Sequence, residues 1–352
     1  MTRPTWSLNC PVRIDATADR VVLAHGEGAR LSRQLLAGHI LPRLGGGAPI
    51  DWRDAASVTT EQQRLAVTTD SFVVSPLFFP GGDIGSLSVH GTVNDLAVSG
   101  ARPRWITLSM ILEEGLPLAV LDAVLDRVAW AARECDVLVV AGDTKVVPAG
   151  AADGLFLNTT GIGELIDPVP SGPTAIQPGD ALLVSGPIGR HGVAVLCARE
   201  EFGFDPPPQT DAAPLFPAVE LLRASAGTHV RTIRDATRGG ISAVLHEWAA
   251  ASDVSFVLEE SQIPVTDDVR GACELLGLDP LQIACEGTLA AAVSADKADA
   301  AIAALRADSR FAAASIIGRA TEKRLTPVAI RRLFGSEQPV DEPTGALLPR
   351  IC

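Results

Sequence analysis

Four aspartates in the N-terminal half stand where hard oxygen ligands could meet. Asp70 and Asp143 end the strand-like runs "RLAVTTD" and "VLVVAGD". Asp83 lies in the glycine-rich turn "FPGGDIG", and Asp95 lies in the apolar helical segment "SLSVHGTVNDLAVSGA". Such carboxylates suit Mg²⁺, which proteins usually hold through a few carboxylates and substrate phosphates. The alternative is that each acid only caps a turn or a helix, although an unpaired charge at Asp95 would be costly.

Glycines precede two predicted helices. Gly239 and Gly240 stand in "ATRGGISAVLHEW", and further glycines stand in "HGEGARLSRQLL". Helix N-termini offer free N–H groups and the positive end of the helix dipole, which favour phosphate. Neither stretch is a Walker A sequence or a complete G-x-G-x-x-G motif. Because helices often begin after glycine, the phosphate role of the loop at residues 25–30 stays open.

Lys145 and Glu286 are candidates for acid–base and charge-stabilising roles. Lys145 follows the acid directly in "GDTKVV", where it could neutralise a phosphate or an oxyanion, or could be a solvated lysine at a strand end. Glu286 lies in the apolar stretch "ACEGT", which could raise its pKa and make it a general base. The alternative for Glu286 is a carboxylate at a turn or strand edge.

The chain ends in a cysteine, Cys352, at the close of "ALLPRIC". The segment at residues 336–352 is rich in proline and acids, has little to bury, and reads as a mobile tail. Its residues could reach about 55 Å at about 3.3 Å each. A mobile arm that ends in a nucleophile would act as a swinging carrier, whereas an accidental terminal cysteine would have no role.

Composition excludes several classes of protein. The 352 residues carry a net charge of −13 without a cluster of basic residues, so we expect no nucleic-acid partner. Charged residues interrupt every long apolar stretch, and the N-terminus has no apolar segment typical of a signal peptide. We therefore expect a cytoplasmic protein without a membrane partner. The six cysteines contain no C-x-x-C pair, which excludes the usual zinc spacings.

The elements that must position these residues form two halves. The sequence predicts an N-terminal domain at 1–165, a Pro/Gly-rich linker at 166–179, a C-terminal domain at 180–335 and the tail at 336–352. Strands and helices are mixed in both halves: "ALLVSGPIG" and "VSFVLEE" read as strands, and "GISAVLHEWAAAS" reads as a helix. This pattern indicates an α+β fold.

Five stretches taken together resemble a known family. They are "TTDSFVVSPLFFPGGDIGSLSVHGTVNDLAVSGARP", "VVAGDTKVV", "RDATRGGISAVLHEWA", "ACEG" and the terminal "PRIC". In this order they resemble the HypE family, the carbamoyl dehydratases of nickel–iron hydrogenase maturation. That family is similar to a wider ATP-using group that includes aminoimidazole ribonucleotide synthetase, selenophosphate synthetase and thiamine-monophosphate kinase. The resemblance implies two α+β domains of the aminoimidazole-ribonucleotide-synthetase type, the first of which forms the interface of a homodimer.

The resemblance also implies a site that binds ATP and Mg²⁺ between the domains. The implied cofactor-binding residues are Asp70, Asp83, Asn94, Asp95, Asp143, Thr144, Gly239 and Gly240, and the four aspartates among them are the implied metal ligands. Lys145 would steady the carboxamide oxygen or the γ-phosphate, Glu286 would take protons from the amide nitrogen, and Cys352 would carry the substrate. Glu27 and Ala29 depart from the glycine-richer loop that we would expect in the family.

In this family the terminal cysteine receives a carbamoyl group from a HypF-type carbamoyltransferase. ATP is then used to dehydrate the S-carboxamide to a thiocyanate, and the cyano group passes to iron on a HypC–HypD-type scaffold. Two other classes remain. A superfamily kinase or synthetase that acts on a diffusible molecule would not need Cys352, and a non-catalytic ATP-binding carrier would not change the cysteine chemically.

Overall fold

The computed structural model describes residues 29–35, 55–59, 63–200, 202–344, 348 and 350–352. The first helix, α1, spans Ala29–Leu35. Most of the loop considered for phosphate contact, at residues 25–28, lies outside the described residues. Within the described ranges, every helix is too short or too polar to cross a bilayer.

A five-stranded sheet organises the N-terminal half. Its strands are β1 (Ala56–Thr59), β2 (Arg64–Phe72), β5 (Ala101–Glu113), β6 (Leu138–Val147) and β7 (Leu155–Leu165). Across the sheet they run in the order β1-β2-β7-β5-β6, and β6 is parallel to β5 at one edge. The two predicted strands are present as β2 and β6, but they run past the acids at which we expected them to end, to Phe72 and Val147. Strand alternation places Thr68, Asp70 and Phe72 on one face of β2.

A buried helix, α2 (Ile84–Val98), packs on this face of the sheet. The hairpin of β3 (Phe78–Phe79) and β4 (Gly82–Asp83) leads into it, and α3 (Leu118–Glu134) packs beside it. Nearly every residue of α2 is buried, as expected for a helix with apolar residues on all sides. Its few polar side chains, Thr92, Asn94 and Asp95 among them, therefore lie inside the molecule and need partners.

The C-terminal half contains a seven-stranded sheet with helices packed on it. The strands are β8 (Ala181–Val184), β9 (Val230–Asp235), β10 (Val254–Glu259), β11 (Leu289–Val293), β12 (Ser315–Glu322), β13 (Val328–Arg331) and β14 (Glu337–Pro339), in the sheet order β14-β13-β10-β12-β8-β11-β9. The helices are α4 (Arg190–Glu200), α5 (Phe216–Ala226), α6 (Gly240–Ala251), α7 (Asp267–Leu276) and α8 (Ala295–Arg306). Mixed sheets and helices in both halves confirm the predicted α+β class.

The two halves share an apolar core. One cluster of buried side chains joins Phe72 and Val89 of the first half to Ile283 of the second. It also includes Leu348 and Ile351 from the end of the chain. The end of the chain therefore packs against the apolar core that both halves share.

The segment at 336–352 buries more than its composition suggests. Strand β14 pairs with β13, so the sheet continues beyond residue 335, where the sequence analysis ended the C-terminal domain. Val340, Leu348 and Ile351 are each less than a tenth exposed. The tail is docked in the described conformation, and its mobility stays a prediction.

Candidate active site

Asp70 and Asp95 form a carboxyl pair between β2 and α2. Their carboxyl groups are hydrogen-bonded to each other. Thr68 donates to Asp95 over 2.7 Å, and Thr92 donates to Asp70 over 3.3 Å. Burial raises the pKa of Asp70 above its ordinary value. Two acids in such contact need a shared proton or a cation between them, so this pair is suited to a divalent metal.

Glu286 is a buried carboxyl group that faces this pair from the second half. It is 2 % exposed, and its Oε1 atom has no hydrogen-bond partner within the described part of the chain. Burial raises the pKa of Glu286 well above its usual range, and the nearby acids Asp235 and Asp211 raise it further. A buried carboxyl group with a raised pKa and a free oxygen has the properties of a general base.

Asp211 holds the backbone of the loop that carries Glu286. The Asp211 carboxylate accepts hydrogen bonds from the backbone N–H groups of Glu286 and Gly287, each over 3.1 Å. A Cβ atom at Gly287 would lie 1.7 Å from the Asp211 carbonyl oxygen, so only glycine fits there. These contacts fix the backbone that carries Glu286.

Gly91 brings α2 close to both Glu286 and the end of β2. A Cβ atom at Gly91 would lie 3.0 Å from Cζ of Phe72 and 3.9 Å from Oε2 of Glu286. The glycine therefore keeps open the space between the strand that carries Asp70 and the Glu286 carboxyl group.

Arg238 supplies positive charge to this group of acids. Its charge lowers the pKa values of Asp70, Asp235 and Glu286, against the effect of burial. The net pKa of Asp235 is still raised to about 6, mainly by burial. An arginine beside buried acids is also suited to a phosphate group.

Gly239 and Gly240 follow Arg238 directly and begin α6, as the sequence predicts. Their φ angles of 79° and 59° lie in the left-handed region that favours glycine. A Cβ atom at Gly240 would lie 2.6 Å from the carbonyl oxygen of Leu281. Conformation and close packing therefore explain both glycines, and phosphate contact stays a prediction.

The terminal Cys352 is docked where β2 ends. The backbone N–H of Val73 donates to the Cys352 carbonyl oxygen over 3.0 Å, and Arg350 Nε donates to the Val73 carbonyl oxygen over 3.0 Å. Phe72 and Asp70 lie just before this point on the same strand. The backbone of the predicted carrier is therefore bound at the end of β2, three residues beyond Asp70.

Asn94 joins the two halves of the molecule. Its side-chain amide donates to the carbonyl oxygens of Ala213 and Glu286, over 3.0 and 3.1 Å, and accepts from the N–H of Leu215 over 2.7 Å. Both N–H groups of the amide are therefore engaged, and its oxygen accepts one bond. Its direct effect is to hold the backbone of Glu286, and a contact with ATP stays a prediction.

Asp83 lies away from the carboxyl pair. It caps α2 by accepting from the Ser86 N–H over 2.8 Å, and it pairs with Arg127 over 2.7 Å. Twelve residues of helix separate Asp83 from Asp95, which corresponds to about 18 Å. In the single chain, Asp83 has the capping role that the sequence analysis kept as its alternative.

Asp143, Thr144 and Lys145 also lie apart, on the exposed edge strand β6. Lys145 Nζ bonds the Asp143 carboxylate over 2.7 Å, and this hydrogen bond lowers the pKa of Asp143. Three strand spacings separate β6 from β2, which corresponds to about 14 Å. Within one chain, these residues do not reach Asp70.

Sequence reasoning missed Arg238, Asp235 and Asp211. Asp235 ends a strand in "TIRD", the same signal that identified Asp70, and Arg238 stands in the glycine motif already noted. Asp211 lies in a proline-rich loop whose sequence carries no such signal. It could not be recognised before the loop was seen against Glu286.

The acids fit a metal ion only together with another ligand. The described residues contain no group of three or more His, Cys, Asp or Glu side chains placed to hold a metal. The Asp70–Asp95 pair supplies two carboxylates, and Mg²⁺ is commonly bound by one or two carboxylates plus the phosphates of a nucleotide. The residues present therefore fit Mg²⁺ bound with ATP.

Replacing Asn94 by alanine should destabilise the protein and misplace Glu286. The change removes the acceptor of the Leu215 N–H and the side-chain donor to the Ala213 and Glu286 carbonyl oxygens, at a cost of about 1–3 kcal/mol for a buried unsatisfied group. Thermal unfolding measures this loss, with Gln209→Ala as a control because Gln209 is exposed. Equal melting temperatures for the Asn94→Ala variant and the parent would contradict the role of Asn94 in connecting the two halves.

Comparison with known proteins shows where this architecture occurs. A family model described as "AIR synthase related protein, N-terminal domain" matches residues 52–165, and one described as "AIR synthase related protein, C-terminal domain" matches residues 177–330. The two models together match more than half of the chain.

Several relatives match over nearly the full length. "Carbamoyl dehydratase HypE" of Rhizobium leguminosarum bv. viciae is 43% identical over 97% of this chain and 97% of its own. A solved structure described as "Crystal structure of HypE-HypF complex" has a TM-score of 0.80 and 40% identity, covering 87% of this chain and 100% of the other. Another, "Crystal Structure of Hydrogenase Maturation Protein HypE in complex with ATP", has a TM-score of 0.78 and 39% identity, covering 94% and 100%. The chain belongs to the HypE family of AIR synthase related proteins.

Proposed function

We propose that this chain is an ATP-dependent carbamoyl dehydratase that acts on its own C-terminal cysteine and serves hydrogenase maturation. The observation that carries the proposal is the docking of Cys352 at the end of β2, three residues beyond Asp70, in the strand that carries one acid of the group around Glu286. Family membership at 43% identity to a carbamoyl dehydratase supports the same reaction.

The chemistry needs a leaving group and a proton acceptor. The carboxamide oxygen on Cys352 attacks the γ-phosphorus of ATP, and ADP leaves. The amide nitrogen loses its two protons, and cleavage of the C–O bond expels phosphate and leaves a thiocyanate. Glu286 is the proposed acceptor of these protons, because its raised pKa makes it a stronger base than an ordinary carboxylate.

ATP is the proposed nucleotide, and a relative solved with ATP supports it. Mg²⁺ would be held by Asp70 and Asp95 together with nucleotide phosphates, and it would offset the negative charge on the transferring phosphoryl group. We propose nucleotide contacts for the remaining predicted residues as well. These are Asp83, Asn94, Asp143, Thr144, Gly239 and Gly240, with Lys145 near the γ-phosphate.

A homodimer is proposed because β6 is an uncovered edge strand with apolar side chains. Leu138, Val139, Val140 and Val146 on it are exposed, and unpaired strand edges of this kind are usually covered by another chain. Asp143, Thr144 and Lys145 lie on the same strand, so a second copy packed there would change what these residues face.

Val139→Arg should convert the proposed homodimer into a monomer. An arginine at the middle of the apolar edge would bury a charge in the interface, which is costly without a partner. Light scattering after gel filtration measures the mass. Leu325→Arg is the control, since Leu325 is fully exposed on the loop between β12 and β13. An unchanged mass for Val139→Arg would contradict this interface.

The proposed partners follow from the reaction. A HypF-type carbamoyltransferase would supply the carbamoyl group, and a relative solved as a HypE–HypF complex supports this partner. A HypC–HypD-type iron scaffold would accept the cyano group. The reaction consumes ATP, and we propose the cytoplasm as its location.

The proposed function is tested by coupling nucleotide turnover to the modified tail. Protein carbamoylated on Cys352 should release one ADP and one phosphate per chain, whereas unmodified protein should release neither. Turnover with a diffusible substrate, independent of Cys352, would instead support the kinase class. Nucleotide binding without turnover would support the carrier class.

A further inference from the structure

Hydrogen bonds to its backbone help to hold the docked tail, and both halves of the molecule contribute them. Arg199 Nη2 donates to the Arg350 carbonyl oxygen over 2.7 Å, and the Ser75 N–H donates to the same oxygen over 3.2 Å. The next carbonyl oxygen, that of Ile351, lies 2.6 Å from Nε2 of His191. The last residues are therefore fixed at successive carbonyl groups just before the thiol.

The hydrogen-bond directions around His191 are determined by its neighbours. The Ala212 N–H donates to Thr210 Oγ1 over 3.0 Å, so the Thr210 hydroxyl can give its own hydrogen to His191 Nδ1 at 2.8 Å. His191 Nε2 then carries the proton and donates to the carbonyl oxygen of Ile351. Burial lowers the pKa of His191, which agrees with this neutral form.

His191 itself is rigidly placed. It lies at the start of α4, is fully buried, and contacts the Phe79 ring edge-on at 5.5 Å between centroids. Arg199 lies on the same helix and also donates to the Ser75 carbonyl oxygen over 2.9 Å. One helix of the second half therefore carries both side chains that bind the tail backbone.

The loop at residues 210–212 connects this tail contact to the proposed base. Thr210 binds His191, and the adjacent Asp211 binds the N–H groups of Glu286 and Gly287. We propose that His191 is a positioning residue that sets the place of Cys352 relative to Glu286 through this loop. The inference rests on the proposed dehydratase function for its catalytic consequence, but the docking of the tail can be measured without it.

The test compares His191→Phe with His191→Gln. Phenylalanine keeps a ring but cannot bind Ile351 or Thr210. Glutamine keeps a donor for the Ile351 carbonyl and an acceptor for the Thr210 hydroxyl. His246→Phe is the control, because His246 is also buried and its Nδ1 bonds the Ser242 carbonyl oxygen in its own helix.

Two readouts separate tail position from chemistry. The first is alkylation of Cys352 by a maleimide, located by peptide mass, which we expect to be roughly tenfold faster in His191→Phe, as the loss of one hydrogen bond predicts. The second is a single turnover of carbamoylated protein with Mg-ATP, which we expect to be slower by a similar factor. Carbamoyl acceptance should change little, and His191→Gln should recover both rates.

The outcomes are distinguishable. Unchanged alkylation in His191→Phe, or equal changes in the His246→Phe control, would overturn the positioning role whatever the reaction is. Faster alkylation with unchanged dehydration would also overturn it, because docking would then not matter to the chemistry. If the parent protein itself never loses water, the proposed function fails, and the alkylation result still decides whether His191 positions the tail.

Discussion

Cys352→Ala should abolish carbamoyl acceptance and all carbamoyl-dependent ATP turnover, because the Cys352 sulfur is the proposed attachment point of the substrate. The side chain is small and only partly buried, so its loss should leave the fold intact. The measurement is the mass of the C-terminal peptide after incubation with the carbamoyltransferase, together with a thermal melt of the variant.

Cys135→Ala is the matched control for this variant. Cys135 also packs against the apolar core that the tail joins, and burial raises the pKa of its thiol to about 12, so it is a poor nucleophile. The control should accept carbamoyl at Cys352 as the parent does. Carbamoyl acceptance by Cys352→Ala would contradict the carrier role directly.

Glu286→Gln should accept the carbamoyl group but stall before dehydration. The amide is nearly isosteric with the carboxyl group and cannot take protons from the substrate nitrogen. Loss of a general base commonly slows the chemical step by about 10²–10⁴-fold. Single-turnover mass measurements on carbamoylated protein give this rate. The control is Glu260→Gln, because Glu260 is partly exposed and forms an ion pair with Arg332.

The same variant has a predicted stability signature. The pKa of Glu286 is raised in the folded protein from the ordinary value of 4.5, so the folded state favours the neutral carboxyl group. The parent therefore loses stability as the pH rises above that ordinary value toward the raised pKa, and the neutral amide does not. As the pH rises from low to neutral, the melting temperature of the parent should fall relative to that of Glu286→Gln. A variant that becomes relatively less stable over this range would contradict the raised pKa of Glu286.

Some of the site could be predicted from sequence because its signals are local. Asp70 follows an alternating strand-like run, Asp95 interrupts an apolar helix, and Glu286 interrupts an apolar stretch. Each is a charge in a stretch that must be buried, and a buried charge needs either a partner or a function. The structure brings Asp70 and Asp95 together and buries Glu286 beside them.

Other residues could not be assigned because their partners are distant in sequence. Asp83 looked like a ligand in a glycine turn, but its ion pair with Arg127, on α3, is visible only in the fold. The resemblance implied a cofactor-binding role for Asn94, but its amide bonds backbone groups from the second half. The same residue types can cap a helix, connect two halves of a molecule or bind a ligand. Only the tertiary contacts show which role a residue has.

The apolar contacts of the tail also could not be predicted from its sequence. Its proline-rich and acidic composition predicts a segment that packs against little. Leu348 and Ile351 are nonetheless buried, and hydrogen bonds from the Val73 backbone N–H and the His191 side chain hold the end of the chain. The docked state therefore depends on the groups of the two halves that contact the tail, which the composition of the tail does not reveal.

The most direct test of the central claim is the mass of the C-terminal peptide. The protein is carbamoylated by the partner transferase and then incubated with and without Mg-ATP. We predict that the peptide loses the mass of one water, only with ATP, and that fragmentation locates the change on Cys352. A carbamoyl group that is accepted but never loses water would contradict the dehydratase reaction.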